Sequence, residues 1–409
     1  MHASLPSAFL SPNASLARAS DGRLPDRVTV VFVDDETAVL NGITRNLSRS
    51  RKTWDVHGFD DPNAALDFIA MNPVDVVVSD MRMPKMNGID FLTNVMGINS
   101  DTVRIALSGF ASFESTLESL KMVHRFIAKP VKMPALVDHI ERSMALQGDL
   151  RDRDLYKLLL NLDTLPSNPR HQGELRQLAA SASSNAEELC QLIENDVGLT
   201  ANLIRVVNSE CFGHCQGIES VSQAVELLGL QTIKNLVLSN ALYSQVQSAD
   251  GGAFEALTRS SNGVSTLSRK MATACELDPA EIDRCELAGM LTTLGDIVLL
   301  ANRHTFDQAS EVRPERLAGA ILKMWMFSDP IVEAVVGHRT PISMDRTAPL
   351  QPITLRCVTA AWLGWQNLTA QDTAKGERDR DGLRALFLQL AGDADVAARW
   401  TDAVANHPN

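Results

Sequence analysis

Aromatic residues are scarce in this chain: they make up 5% of its 409 residues, with only two tyrosines. With alanine and leucine plentiful, that composition leans helical. Excess positive charge is missing too. The formal net charge is -12, whereas a general nucleic-acid binder needs basic surface to release counterions from phosphates. There is no disulfide framework, because the six cysteines at 190, 211, 215, 275, 285 and 357 are irregularly spaced. A reducing cytoplasm fits that usage. Cys211, His214 and Cys215 resemble half a zinc site, but no second half is evident. No stretch approaches the roughly 18 continuous apolar residues of a membrane span, so no membrane insertion is expected. The first 25 residues, rich in Ser, Ala and Pro, lack a basic start followed by an apolar run. They predict a disordered tail rather than a signal peptide.

What is present begins with short apolar runs that end in polar residues. Val28–Val33 runs into Asp34-Asp35, and Val74–Ser79 ends in Asp80. Val103–Leu107 ends in Ser108, and Arg125–Ala128 ends in Lys129-Pro130. A weaker strand lies around Trp54–Phe59, and helical patterns separate the runs. One helix opens at Asp61-Pro62, an N-cap followed by proline at the first helical position. Five strands alternating with helices predict an α/β doubly wound, five-stranded parallel sheet covered on both faces.

In such a sheet, ligands bind beyond the carboxyl ends of the strands. Asp34, Asp35, Asp80, Ser108 and Lys129 all fall at that edge, with 45 residues from Asp35 to Asp80, 28 more to Ser108 and 21 more to Lys129. Each gap is about what one or two β/α units require. A lone acidic residue at a strand end is ordinarily a helix cap or a solvated loop residue; five polar positions in order on successive strand ends are not. Three carboxylates this close stay ionised together only around a divalent cation. Oxygen ligands with room for water favour Mg²⁺. Asp80 could then attack a phosphoryl donor, with the Lys129 ammonium and the Ser108 hydroxyl stabilising the phosphoryl oxygens. A cis Lys129-Pro130 peptide would turn the lysine into the site.

The segments Val-Asp-Asp-Glu (33–36), Ser-Asp-Met-Arg-Met-Pro-Lys-Met-Asn-Gly (79–88), Leu-Ser-Gly (107–109) and Phe-Ile-Ala-Lys-Pro (126–130) resemble the receiver domain of two-component response regulators. The resemblance covers about 27–147 and implies a flavodoxin-like fold. It implies that Asp80 is the phosphoacceptor, served by a sensor histidine kinase. Asp35, Asp80 and the backbone carbonyl of Arg82 would hold Mg²⁺, with Asp34 assisting through water. Ser108 and Phe126 would form a switch pair, Phe126 rotating as Ser108 is drawn towards phosphate.

Downstream, 148–165 reads as a helical linker. Leu155, Leu158, Leu159 and Leu162 form an apolar stripe, and Leu165-Pro166 through Pro169 breaks the helix. A linker packing on the next domain and a dimerising coiled coil are both open, though Arg151 and Asp154 interrupt the earlier heptad. Beyond 170 the pattern is helical throughout, which predicts an all-α domain over 166–370. A charged loop at Lys375–Asp381 and a C-terminal helical extension over 371–409 follow, with a last helix pair in the helical pattern of Arg380–Val404.

Within Asn185–Leu242, Glu187–Ile193, Asp196–Ser209, Ile218–Val225 and Leu228-Gly229-Leu230 resemble the HDOD domain, a resemblance that continues more weakly to about 340. That family is similar to HD phosphohydrolases, generally without their metal ligands. The positions where His and Asp would converge on metal read Ser260, Thr292, Thr293, Glu315 and His338 here. Neutral hydroxyls cannot replace an imidazole and a bridging carboxylate, so no cofactor is expected in this domain. Ala186–Val207 also reads as helix-turn-helix, offering Asn202, Arg205 and Asn208 to a DNA groove; an acidic partner helix argues against it. The expectation is a phosphorylation-controlled signalling adaptor that binds a downstream protein, with cyclic-dinucleotide enzymes as candidate partners and no nucleic acid. An HD-type phosphodiesterase with an atypical metal site and a DNA-binding regulator are the alternatives.

Overall fold

The computed structural model describes residues 27–109, 123–149, 153–162, 164–181, 185–209, 217–239, 242, 251–303, 312–340, 351–369 and 380–407. The 1–26 tail, the Cys211–Cys215 pair, most of the 375–381 loop and the side chain of Ser108 lie outside the described residues. The chain divides into two compact units between Asn161 and Leu162.

The first unit is a five-stranded, all-parallel sheet: β1 (Val28–Val33), β2 (Trp54–Phe59), β3 (Val76–Asp80), β4 (Val103–Ser108) and β5 (Arg125–Ala128), in the order β2-β1-β3-β4-β5. β3 is buried along its whole length, as a strand covered on both faces must be. Its helices take their starts from local capping. Asp61 accepts from the Asn63 amide at 3.0 Å and launches α2 (Pro62–Met71). Asn87 accepts from the Asp90 amide at 2.8 Å and launches α3 (Gly88–Ile98). Helix α1 (Thr37–Ser50) buries Leu40, Ile43 and Leu47 at helical spacing. The strand order reverses between β1 and β3, which opens the crevice of a doubly wound sheet at their carboxyl ends. Two further helices, α4 (Met133–Asp149) and α5 (Arg153–Leu160), complete the unit.

The second unit is helical throughout its described residues. Its first helix, α6, runs Pro169–Ala180. Asn168 caps it and Pro169 takes the first helical position, so the proline that reads as a breaker is an initiator. Helices α7 (Ala186–Glu194) and α8 (Val197–Val207) follow, then α9 (Val221–Leu228) and α10 (Leu230–Leu238). Long α11 (Gly251–Ala274) packs against α12 (Pro279–Met290) and α16 (Ile353–Thr369). Between them lie a 3₁₀ turn at Leu291–Thr293 and helices α13 (Leu294–Ala301), α14 (Pro314–Met324) and α15 (Asp329–Gly337).

The expected stretch 380–404 is two helices, α17 (Arg380–Ala391) and α18 (Ala394–Ala405). Gly392 turns between them at φ 72° and Asp393 caps the second. They are no detached appendage: Phe387 and Trp400 sit in one apolar core with Leu267, Met271 and Trp365. The Trp400 indole donates to the Met271 carbonyl at 2.9 Å, which satisfies the polar edge of a fully buried ring. No helix among the described residues is long and apolar enough to cross a membrane.

Candidate functional site

The carboxyl ends of β1 and β3 bring three acidic side chains to one rim. A carboxylate oxygen from each of Asp34, Asp35 and Asp80 lies within 4.8 Å of the others, and no other such trio of His, Cys, Asp or Glu occurs among the described residues. Asp34 and Asp80 are buried and Asp35 is exposed, so the cluster opens to solvent on one side. Lys129, one residue past β5, reaches over the end of β4 to Asp34 Oδ2 and Asp80 Oδ1, both at 3.0 Å. Burial alone would lower the Lys129 pKa, but its hydrogen bonds to Asp34 and Asp80 outweigh that and raise it. The ammonium is therefore charged at neutral pH. The Lys129-Pro130 peptide is cis.

The remaining contacts fix which oxygens are free. Asp34 Oδ1 accepts from the Glu36 amide at 2.9 Å, and Asp80 Oδ1 accepts from the Met81 amide at 2.8 Å. Asp80 Oδ2 accepts from no described residue, which leaves it, with the exposed Asp35 carboxylate, free to take a further ligand. Arg82 follows two residues after Asp80 and is exposed. Phe126 is buried in β5, and Ser108 ends β4 beside Ala128.

Gly88 explains why the loop after Asp80 closes tightly. A Cβ there would lie 2.4 Å from the Asp80 carbonyl oxygen and 2.7 Å from Met81 Cα. Backbone cannot yield as a flexible side chain can. Gly88→Ala is therefore expected to destabilise the first unit by about 2 kcal/mol through overpacking, read as a lowered urea midpoint for that unit.

Comparison with known proteins supplies the family. Residues 30–141 match the family described as response regulator receiver domain, and residues 165–341 match the HDOD domain. The chain belongs to the response regulators. It joins a receiver domain to an HDOD domain. The hydrogenase transcriptional regulatory protein HoxA of Cupriavidus necator is 28% identical over 165 residues, 40% of this chain and 33% of that protein. A protein-glutamate methylesterase/protein-glutamine glutaminase of Caulobacter vibrioides is 37% identical over 98 residues, 24% of this chain and 28% of that protein. This response regulator thus spans about a third of the length of these curated relatives. Among solved structures, the MmoQ response regulator from Methylococcus capsulatus aligns with 58% of this chain and 98% of its own, at 21% identity and a TM-score of 0.45.

In the HDOD domain of this response regulator, the 3₁₀ turn carrying Thr292 and Thr293 packs against α11, α14 and α15. Thr292 spends its hydroxyl on the Gly289 carbonyl at 2.8 Å. Thr293 meets the hydroxyl of Ser261. The expected partner was Ser260, but one residue along a helix turns the side chain by about 100°, and Ser260 is only half-buried.

His338 is buried. Its Nδ1–H donates to the Val335 carbonyl at 2.8 Å, and its Nε2 accepts from Arg339 Nε at 3.2 Å. Burial, reinforced by the Arg339 charge, pushes the His338 pKa down to about 4, so the ring is neutral at pH 7. Arg339 also reaches Asp296 at 2.7 Å, with Glu315 at 3.9 Å. The guanidinium therefore occupies the space between an imidazole lone pair and two carboxylates. Sequence reading missed Ser261, Asp296 and Arg339. The signal available was an arginine directly after the one surviving histidine.

The helix-turn-helix reading assigned Asn202, Arg205 and Asn208 to a groove. All three are committed inside the domain. Asn202 brackets Leu165, accepting from its amide at 3.1 Å and donating to its carbonyl at 3.2 Å. The Arg205 guanidinium stacks 4.3 Å over the Trp325 ring. Asn208 donates to the Ile218 carbonyl at 2.8 Å and accepts from the Ile218 amide at 3.0 Å. Helix α8 is buried on nearly every side, so it has no free face to lay in a major groove.

Proposed function

We propose that this response regulator is switched by phosphorylation of Asp80 and that its HDOD domain acts by binding a protein rather than by hydrolysis. The observation that carries the first half is the pairing of an uncommitted Asp80 Oδ2 with a lysine ammonium held 3.0 Å from Asp80 Oδ1. Asp80 Oδ2 attacks the phosphorus of a phosphohistidine on a sensor kinase. A P–O bond forms as the P–N bond breaks, and the departing imidazole recovers a proton from solvent. Lys129 shifts from neutralising two carboxylates to neutralising the phosphoryl oxygens. The all-oxygen set of Asp34, Asp35 and Asp80 fits Mg²⁺, with the Arg82 carbonyl as a further ligand. Bound there, Mg²⁺ supplies the positive charge that lets three carboxylates and a phosphoryl group share one rim. The free thiols Cys190, Cys275, Cys285 and Cys357 fit a reducing cytoplasm.

The second half is supported by what fills the HD positions: hydroxyls that bond to each other or to backbone, and a histidine whose lone pair is taken by Arg339. Metal analysis of the purified full chain, prepared without chelators, is expected to find well under one equivalent of Fe, Mn or Zn. A stoichiometric amount of any of these would instead favour an HD-type phosphodiesterase. The protein partner, with cyclic-dinucleotide enzymes first among the candidates, is sought by comparing what wild type and Asp80→Asn retain from native cells after treatment with a phosphodonor.

A further inference from the structure

The start of β4 carries a residue that a buried parallel strand ordinarily excludes. Arg104 lies between Val103 and Ile105 on a strand flanked by β3 and β5, and it is 1% exposed. Such positions are normally aliphatic, and burying a guanidinium is costly unless its protons are matched. Arg104 Nη1 donates to the Thr102 carbonyl at 3.2 Å, and Nη2 donates to the Leu160 carbonyl at 3.3 Å. Leu160 is the last residue of α5. Its carbonyl belongs to the final turn, where no intrahelical donor is available.

His124 completes the arrangement. Its backbone N–H donates to the Arg104 carbonyl at 2.9 Å, and its ring Nδ1 accepts from the Arg104 amide at 2.8 Å. A nitrogen that accepts carries no proton, so the ring proton is on Nε2. That Nε2–H points at the Leu160 carbonyl, 2.6 Å away. The same carbonyl therefore receives one proton from β4 and one from the residue that leads into β5.

The face of the sheet matters. Side chains alternate along an extended chain, so Phe126 of β5 shares a face with His124, which precedes the strand and still pairs with Arg104. Phe126 pairs with Ala106 on β4, which shares a face with Arg104. The chain enters the second unit at Leu162, two residues beyond that carbonyl.

We infer that Arg104 and His124 are positioning residues that clamp the end of the linker helix to the receiver sheet, so that a shift of Phe126 is transmitted to the linker through the Leu160 carbonyl. The trigger rests on the phosphoacceptor reading of Asp80; the clamp itself does not. A displacement of Phe126 moves β5, and His124 immediately precedes that strand, two residues before Phe126. Because its ring bridges the Arg104 amide to Leu160, the strand cannot move without stretching the hydrogen bond to the linker.

The test is amide hydrogen exchange on the full-length chain, with and without acetyl phosphate and Mg²⁺, while intact mass reports phosphoryl uptake. In wild type, phosphoryl uptake is expected to change exchange at residues 158–162 by about threefold or more. His124→Phe is expected to speed basal exchange there by about tenfold, the effect of losing roughly one buried hydrogen bond. It should also erase the phosphodonor response while leaving phosphoryl uptake intact. Arg104→Lys, which keeps the charge but loses the second donor arm, should shift both readouts in the same direction and guards against a folding failure. Unchanged linker exchange in phosphorylated wild type, or a full response in His124→Phe, overturns the transmission. If wild type gains no phosphoryl group, the Asp80 reading fails instead. The clamp is then decided by basal exchange alone, and unaltered basal exchange in both variants overturns it.

Discussion

Asp80→Asn is expected to abolish phosphoryl uptake altogether. With acetyl phosphate and Mg²⁺, the wild-type chain should gain a single phosphoryl group that survives acid and is released by hydroxylamine, the behaviour of an acyl phosphate. Asparagine occupies nearly the same volume and can still accept from the Met81 amide through its carbonyl oxygen, as Asp80 Oδ1 does at 2.8 Å. The position of Oδ2 becomes an NH₂ group, which has no lone pair to offer phosphorus. The variant therefore tests the nucleophile and not the fold. Lys129→Met should behave differently. It removes the ammonium 3.0 Å from both Asp34 and Asp80 but leaves the attacking oxygen in place, so uptake should slow by about 10²–10³-fold rather than stop. If Asp80→Asn still gains a hydroxylamine-labile phosphoryl group, another carboxylate is the acceptor and the assignment fails.

The acidic rim was legible in sequence because a parallel sheet turns linear spacing into geometry. Every strand delivers its carboxyl end to the same edge, so Asp34, Asp35, Asp80 and Lys129 could be gathered before any coordinates existed. The helical domain offers no such rule. Whether Ser260 or Ser261 faces Thr293 depends on the rotation of a 24-residue helix, and a serine-rich stretch carries no hydrophobic contrast with which to choose. Asp296 and Arg339 are 43 residues apart and come within 2.7 Å only because α13 and α15 pack around one 3₁₀ turn. Arg104 was visible as a charge within an apolar run, but the sequence pattern gave no reason for it. Its partner is a backbone carbonyl 56 residues away, and a carbonyl has no signature in sequence. The final helix pair was legible as a pair, and the place of its break, Gly392 followed by Asp393, joins a helix end to a new cap.

The largest loss of stability outside the apolar cores is expected from Asp196→Ala. This carboxylate is 1% exposed and fastens the start of the HDOD domain to α8. Oδ2 accepts from the Ser167 hydroxyl and the Asn168 amide, both at 2.9 Å, and from His171 Nδ1 at 3.2 Å. Oδ1 accepts from the Leu199 amide at 3.0 Å, the N-cap bond of α8. Gly198 packs so closely beneath Pro166 that a Cβ would lie 2.1 Å from its carbonyl oxygen, so nothing fits between the two segments as they are packed. Alanine strands several buried donors at once, and the cost should be about 4 kcal/mol, seen as a fall in the urea midpoint of the second unit. The pair also carries a pH signature. The hydrogen bond from His171 to Asp196 raises the His171 pKa above its ordinary 6.5, against the opposing effect of burial. The folded state therefore holds a proton that the unfolded chain releases. The stabilisation is complete below pH 6.5 and is lost as the pH rises through the elevated His171 value. Urea midpoints of the wild-type second unit should decline across that interval, and His171→Asn should flatten the decline while retaining most of the capping stabilisation. A decline of equal slope in His171→Asn would place the titrating group elsewhere.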